Sequence, residues 1–287
     1  MHKIQAKGIL NSSNGMNIYR GCSHGCIYCD ARSDCYQMNH PFEDIEVKEN
    51  APELLETALK SKRHCCMIAT GAMSDPYLHA ERELRLTRRC LEIIEKYGFG
   101  VTVLTKSYMI MRDIDILENI NRNAKAVVQM TLTTADDELC RVVEPNVCVT
   151  SRRAEVLCEM KKRGIPTVVW FTPLLPFIND TEDNVRKIVK MCAEAGVYGI
   201  ISFGMGLTLR NGDREYFYSQ LDRHFPGLKQ RYISTYGNAY EIASPNAERL
   251  WKIFDEECDK YGIEKYSNRI FEYLRDFPEP EQLSFFN

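Results

Sequence analysis

The sequence predicts an α/β fold with a parallel sheet, and three observations predict it. Six short apolar or β-branched runs alternate with stretches of helical periodicity, the pattern of consecutive βαβ units. Most of the runs are continuously apolar, as in strands covered on both faces. Gly98, Gly164 and Gly196 directly follow three of the helical stretches, where helices commonly stop. Right-handed crossovers lay six such strands side by side, two fewer than the eight of a closed barrel.

Each element has its own signal. Strand one is expected over 16–20, ending in a loop that holds Gly21 and Gly25. A helix over 51–60 carries Pro52 near its first turn, where the missing N–H is harmless. CCMIAT at 65–70 is the second strand, and an amphipathic helix follows over 81–97. GVTVLT at 100–105 is β-branched. A helix over 113–121 leads to the strand AVVQMTL at 126–132. The helix over 151–163 and then Pro166 introduce TVVWF at 167–171. Thr181 caps a helix over 181–195. YGIISF at 198–203 is the sixth strand, and two later helices span 214–223 and 247–261. The expected division is a core over 1–210, C-terminal helices over 211–265 that close the barrel, and a tail over 266–287.

Composition bounds the function. A chain of 287 residues can bury a sizeable core as one domain. A net charge of −3 supplies no global basic field for nucleic acid, although a local basic groove stays open. Twelve cysteines behind a polar N-terminus that does not read as a signal peptide point to a reducing cytoplasm. No apolar run approaches the ~18 residues of a membrane span, so no membrane partner is expected.

The stretch GCSHGCIYCD at 21–30 spaces Cys22, Cys26 and Cys29 as C-x₃-C-x₂-C. Soft thiolates at this spacing suit an iron–sulfur cluster. Three ligands for four irons leave one iron open to a small chelating molecule. The alternatives are a zinc knuckle with His24 or Cys35 as fourth ligand, and plain buried thiols.

The motif, with Tyr28 just before its last cysteine, resembles that of the radical SAM enzymes. The resemblance implies a partial (β/α)6 TIM-type barrel with the cluster loop 21–30 straight after strand one. It implies one 4Fe–4S cluster on Cys22, Cys26 and Cys29, and S-adenosylmethionine (SAM) on the open iron. Reduction then cleaves SAM to a 5′-deoxyadenosyl radical, with an electron donor such as flavodoxin or ferredoxin. Tyr28 would lie beside the adenine.

Sites in parallel α/β folds gather at the carboxyl ends of the strands. There the chain reads Gly71-Ala72-Met73-Ser74-Asp75-Pro76-Tyr77 after strand two and Thr105-Lys106-Ser107 after strand three. After strand four it reads Thr133-Thr134, Asp136, Leu139, Arg141 and Glu144-Pro145, and after strand five Pro173, Pro176 and Asn179-Asp180. In order and spacing these resemble the spore photoproduct lyase-like, or DNA-repair photolyase-like, branch. That likeness implies that Gly71, Met73 and Ser74 meet the methionyl amino group and that Arg153 forks onto the carboxylate. Lys106, as a point charge, could also hold a carboxylate. Thr131 and Thr133 share a strand face and could bind the ribose; Leu175 and Ile178 could form an adenine shelf. Phe177 stands where relatives more often have glycine. Arg141 and Glu144, three residues apart, are expected to pair.

The branch's namesake lyase splits a thymine dimer with a cysteine as hydrogen-atom donor. Cys35, Tyr77 and Tyr236 are the catalytic candidates here. The tail residues Gln282, Leu283, Ser284, Phe285 and Phe286 resemble the peptide that docks bacterial repair proteins on the sliding clamp. The expected function is hydrogen abstraction from DNA or a nucleobase, in repair or modification. A radical SAM enzyme of peptides or small metabolites, or a zinc-binding adaptor, are the alternatives.

Overall fold

The computed structural model describes residues 1–278. At its centre lies a parallel sheet of six strands in chain order. They are β1 (Gly15–Met16), β2 (Met67–Thr70), β3 (Gly100–Thr105), β4 (Ala126–Thr131), β5 (Thr167–Trp170) and β6 (Gly199–Ile201). Register places Thr70 beside Val103, Thr131 beside Trp170 and Trp170 beside Ile201, which brings the carboxyl ends together at one rim. Every residue of β4 is buried, as its apolar run requires. The architecture is the partial (β/α)6 barrel, open between its first and last strands.

Helices α1 (Ala51–Ser61), α2 (Leu86–Lys96), α3 (Ile114–Asn123), α4 (Thr150–Lys162) and α5 (Glu182–Glu194) cross between the strands. Helix α2 buries Leu86, Cys90, Leu91 and Ile94, one stripe at helical spacing. The helix expected over 81–97 breaks at Arg85, which is left-handed at φ 49. The break turns buried Glu81 inward, where Arg112 lies 3.0 Å away and the Thr87 N–H donates to it at 3.0 Å.

The strand expected over 16–20 also divides. Tyr19–Arg20 leaves the barrel and pairs with Glu46–Lys48, which pairs in turn with His2–Ile4. This small cap sheet had no sequence signal, because its strands are only two or three residues long.

The C-terminal part adds α6 (Asp213–His224), α7 (Leu228–Tyr236), α8 (Ala247–Tyr261) and α9 (Ser267–Arg275). An antiparallel two-stranded ribbon of Gly206–Thr208 and Glu241–Ala243, its strands separated in the chain by α6 and α7, stands beside the barrel mouth. Residues 267–275, expected in the tail, form α9, whose Ile270 and Leu274 pack on Val127, Val168 and Ile201. The clamp-like peptide 282–286 lies outside the described residues. All twelve cysteines are free thiols, and no described helix is long and apolar enough to cross a membrane.

Candidate active site

The loop between Gly21 and Asp30 is held from three directions. The Cys22 N–H donates to the Phe42 carbonyl at 3.1 Å and the Ile27 N–H to that of Val143 at 3.0 Å. The Asn146 amide donates to the Ser23 carbonyl at 2.9 Å. The Ser74 hydroxyl, at the end of β2, donates to the Gly21 carbonyl at 2.6 Å. Gly21 sits at φ +83, and a Cβ there would lie 2.5 Å from the Phe42 oxygen, so no larger residue fits.

Asp75 ties the neighbouring strand ends. Its carboxylate accepts from the Thr105 hydroxyl at 2.7 Å and from the Lys106 N–H at 2.8 Å. It also lies 3.5 Å from Nδ1 of buried His24. In the sequence Asp75 stands out only as one member of the Gly71–Tyr77 segment; its role as a hub appears once three elements converge on it.

These elements enclose a cavity of about 600 Å³ at the carboxyl ends of the strands. Of the expected site residues, Cys22, Cys26, Cys29, Tyr28, Gly71, Met73, Ser74, Lys106 and Thr131 line it. Trp170, Phe203, Leu207 and Ile242 complete its apolar wall. A Cβ at Gly71, which has φ +101, would lie 1.9 Å from the Leu104 carbonyl oxygen, so β2 and β3 meet there backbone to backbone.

Burial pushes the Cys22 thiol up to about 12 and raises Cys26 and Cys29 as well. Such thiols become thiolates by taking a metal, which deprotonates them on binding. The two groups weighed as a fourth zinc ligand are engaged elsewhere, His24 beside Asp75 at 3.5 Å and Cys35 with Arg210 at 3.1 Å. Three soft thiol donors on one loop fit an iron–sulfur cluster.

Lys106 extends into the cavity, with Nζ 5.9 Å from the centre of the Tyr28 ring. Burial works to lower its pKa, but Cys26 and Glu144 outweigh that and hold the ammonium above its usual range. Behind it lies a buried ion pair that the sequence did not reveal. Arg153 Nη2 is 2.5 Å from Glu144, and both side chains are fully buried. Its other nitrogens donate to the carbonyls of Cys148 at 2.8 Å and Thr131 at 2.9 Å. The Tyr28 hydroxyl donates to the same Glu144.

The Radical SAM superfamily model matches residues 16–187, more than half of the chain. The chain belongs to the Radical SAM superfamily. An uncharacterized protein of Mycobacterium tuberculosis is 28% identical over 244 residues, 82% of this chain and 71% of that protein. A radical SAM Nalpha-GlyT isomerase of Pseudomonas phage M6 is 23% identical over 175 residues, 61% of this chain and 35% of the phage protein. Among solved structures, a point mutant of spore photoproduct lyase superposes with a TM-score of 0.66 at 13% identity, covering 92% of this chain and 80% of the lyase. The lyase complexed with dinucleoside spore photoproduct gives 0.63 at 13% identity, covering 86% and 74%. These likenesses show the shared fold.

As a radical SAM enzyme, the protein uses a 4Fe–4S cluster and SAM. Several expected contacts fall elsewhere. Arg153 is committed to Glu144 and two carbonyls, so it braces the wall and does not reach a ligand in the cavity. Arg141 pairs with Glu138 at 2.5 Å, not with Glu144. Thr133 is fully buried, and its carbonyl accepts from Asn179 and Asn184. Leu175 and Ile178 do not line the cavity; they pack in the same apolar cluster as Leu207 and Ile242, which do. None of the catalytic candidates lines the cavity. Cys35 is exposed, with Arg210 donating to it at 3.1 Å. Tyr77 is fully buried, and the Tyr236 hydroxyl donates to the Ala243 carbonyl of the two-stranded ribbon at 2.7 Å.

Proposed function

We propose that this radical SAM enzyme abstracts hydrogen from a nucleobase offered in unstacked or single-stranded form, in repair or modification of DNA. The observation that carries this reading is Phe203. It lines the cavity rim yet is 63% exposed. Trp170 meets it edge-on at 5.6 Å and Phe271 lies nearly parallel at 6.1 Å. Trp170 is itself pinned by donation from Nε1 to Gln129 at 2.7 Å. A large exposed ring so braced offers a flat face for a base, a contact worth ~1–3 kcal/mol. Enzymes that act on a base take it out of the stack, which a recessed cavity demands. The structural neighbour captured with a dinucleoside photoproduct supports the same class.

Cys22, Cys26 and Cys29 would hold the cluster, which with SAM would supply a primary carbon radical. The chain's own part is placement. Lys106 offers its ammonium to a carboxylate. Gly71 lets backbone approach a ligand closely. Leu207 and Ile242 keep water from the reacting atoms. A reductant of the flavodoxin or ferredoxin kind supplies the electron. A second reading, a peptide or small metabolite, is favoured by Asp30 and Glu241 on the cavity wall, since carboxylates repel phosphate.

The test is anaerobic titration of the reconstituted protein with single-stranded DNA at moderate salt. Phe203→Ala is expected to weaken binding about tenfold or more. 5′-Deoxyadenosine formation without DNA should stay unchanged. Absence of DNA binding by the wild type would remove the nucleobase reading in favour of the second.

A further inference from the structure

The cap sheet carries a cluster of side chains that the radical chemistry does not use. His2, His40 and Asp44 each bring a ligand atom within 4.8 Å of the others. His2 Nδ1 is 3.0 Å from Asp44 Oδ2. The two imidazoles meet edge to face, with centroids 4.8 Å apart at 88°. Glu46 joins them from the adjacent strand. It pairs with His2 in the parallel ladder, so the two side chains leave the same face. Its carboxylate lies 3.8 Å from His40 Nε2.

His40 gives the cluster its meaning. Its Nδ1 is 3.1 Å from the Pro41 carbonyl oxygen, which can only accept, so Nδ1 carries the proton and Nε2 keeps a lone pair. That Nε2 is buried and has no hydrogen-bond partner. Metal-binding histidines are arranged in this way, one nitrogen free and the other N–H held by a carbonyl.

We propose that His2, His40, Asp44 and Glu46 bind a divalent transition metal, with zinc best suited to two imidazoles and two carboxylates. The carboxylates offset the charge of the ion. The competing contact is the Met1 amino group, 2.6 Å from Asp44, in a half-exposed ion pair of the weak kind. The metal also bears on the distant cavity through one hydrogen bond. Phe42 lies between His40 and Asp44, and its carbonyl receives the Cys22 N–H at 3.1 Å. Pinning His40 to Asp44 therefore stiffens the segment that holds the first cluster cysteine. The inference is independent of the substrate.

Zinc is titrated calorimetrically into the cluster-loaded holoenzyme, whose three site thiols are already occupied. Wild type, His40→Gln and Asp44→Asn are compared, with equal cluster content as the check on folding. Wild type is expected to take up one equivalent, and each variant to bind at least tenfold more weakly. Hydrogen exchange across residues 18–22 is expected to slow with zinc in the wild type and not in His40→Gln. No uptake by the wild-type holoenzyme overturns the site, as does unchanged uptake by both variants. Uptake without slower exchange overturns the coupling to Cys22.

Discussion

Arg153 and Glu144 take two charges into an interior that excludes water from both. Burial alone would raise the Glu144 carboxyl, but Arg153 and Lys106 outweigh it and hold it below the ordinary range. The pair is thus a matched unit, and removing one member strands the other. Arg153→Met is expected to cost about 3–5 kcal/mol in chemical denaturation, because the buried Glu144 charge loses the guanidinium in direct contact with it. Adding Glu144→Gln should recover much of the loss, since a neutral side chain is cheaper to bury. A double variant whose loss equals the sum of the two single losses would refute the coupling. This pair was illegible in the sequence for a definite reason. Arg141 and Glu144 have helical spacing, but Glu144 lies past the last helical residue of Asp137–Val143, where it turns inward to Arg153. Phe177 shows the opposite case. Expected to stand where the resembled branch more often has glycine, it adopts a left-handed φ of 66. Packing against Tyr232 at 5.7 Å and beneath Arg231 at 3.8 Å holds it there.

At the scale of elements, the last strand of an open sheet presents unpaired backbone groups. β6 is such an edge, and the chain covers it twice. The Ile200 N–H donates to the Glu264 carbonyl at 2.8 Å, and the Glu264 N–H returns to Tyr198 at 3.1 Å. Helix α9 then lies over the outer face. Ile270 approaches so closely that a Cβ on Gly199 would meet its Cδ1 at 2.8 Å. Ile270 is fully buried, so Ile270→Ala should cost about 2–5 kcal/mol, read from the shift in denaturation midpoint. A shift within error would mean that α9 is dispensable packing. Barrel strands and crossing helices were legible because each buries one continuous apolar run or stripe. The helix α9 was not, since an amphipathic stretch of nine residues beyond the barrel looks like a tail until the edge it covers is known.

For the whole molecule, the six-stranded sheet stays open between its first and last strands, and chemistry with a carbon radical needs an enclosed cavity. The two-stranded ribbon of Gly206–Thr208 and Glu241–Ala243 helps wall the cavity, supplying Leu207 and Ile242. It is anchored from behind by the Leu174 N–H, which donates to the Gly206 carbonyl at 3.0 Å, and by the Tyr236 hydroxyl. At Gly206 a Cβ would lie 1.9 Å from the Ile242 carbonyl oxygen, a clash with backbone that no rotamer relieves. Gly206→Ala must therefore part the two strands, while the six-stranded sheet keeps its own core. The expected result is a folded protein with full cluster content whose substrate-independent cleavage of SAM rises severalfold. Gly204→Ala is the control, since it borders the same cavity and nothing lies within 4 Å of its Cβ position. Its cleavage rate should match the wild type. If both variants behave alike, the ribbon is not what keeps the cavity closed, and the seal must come from the cluster loop on the other side.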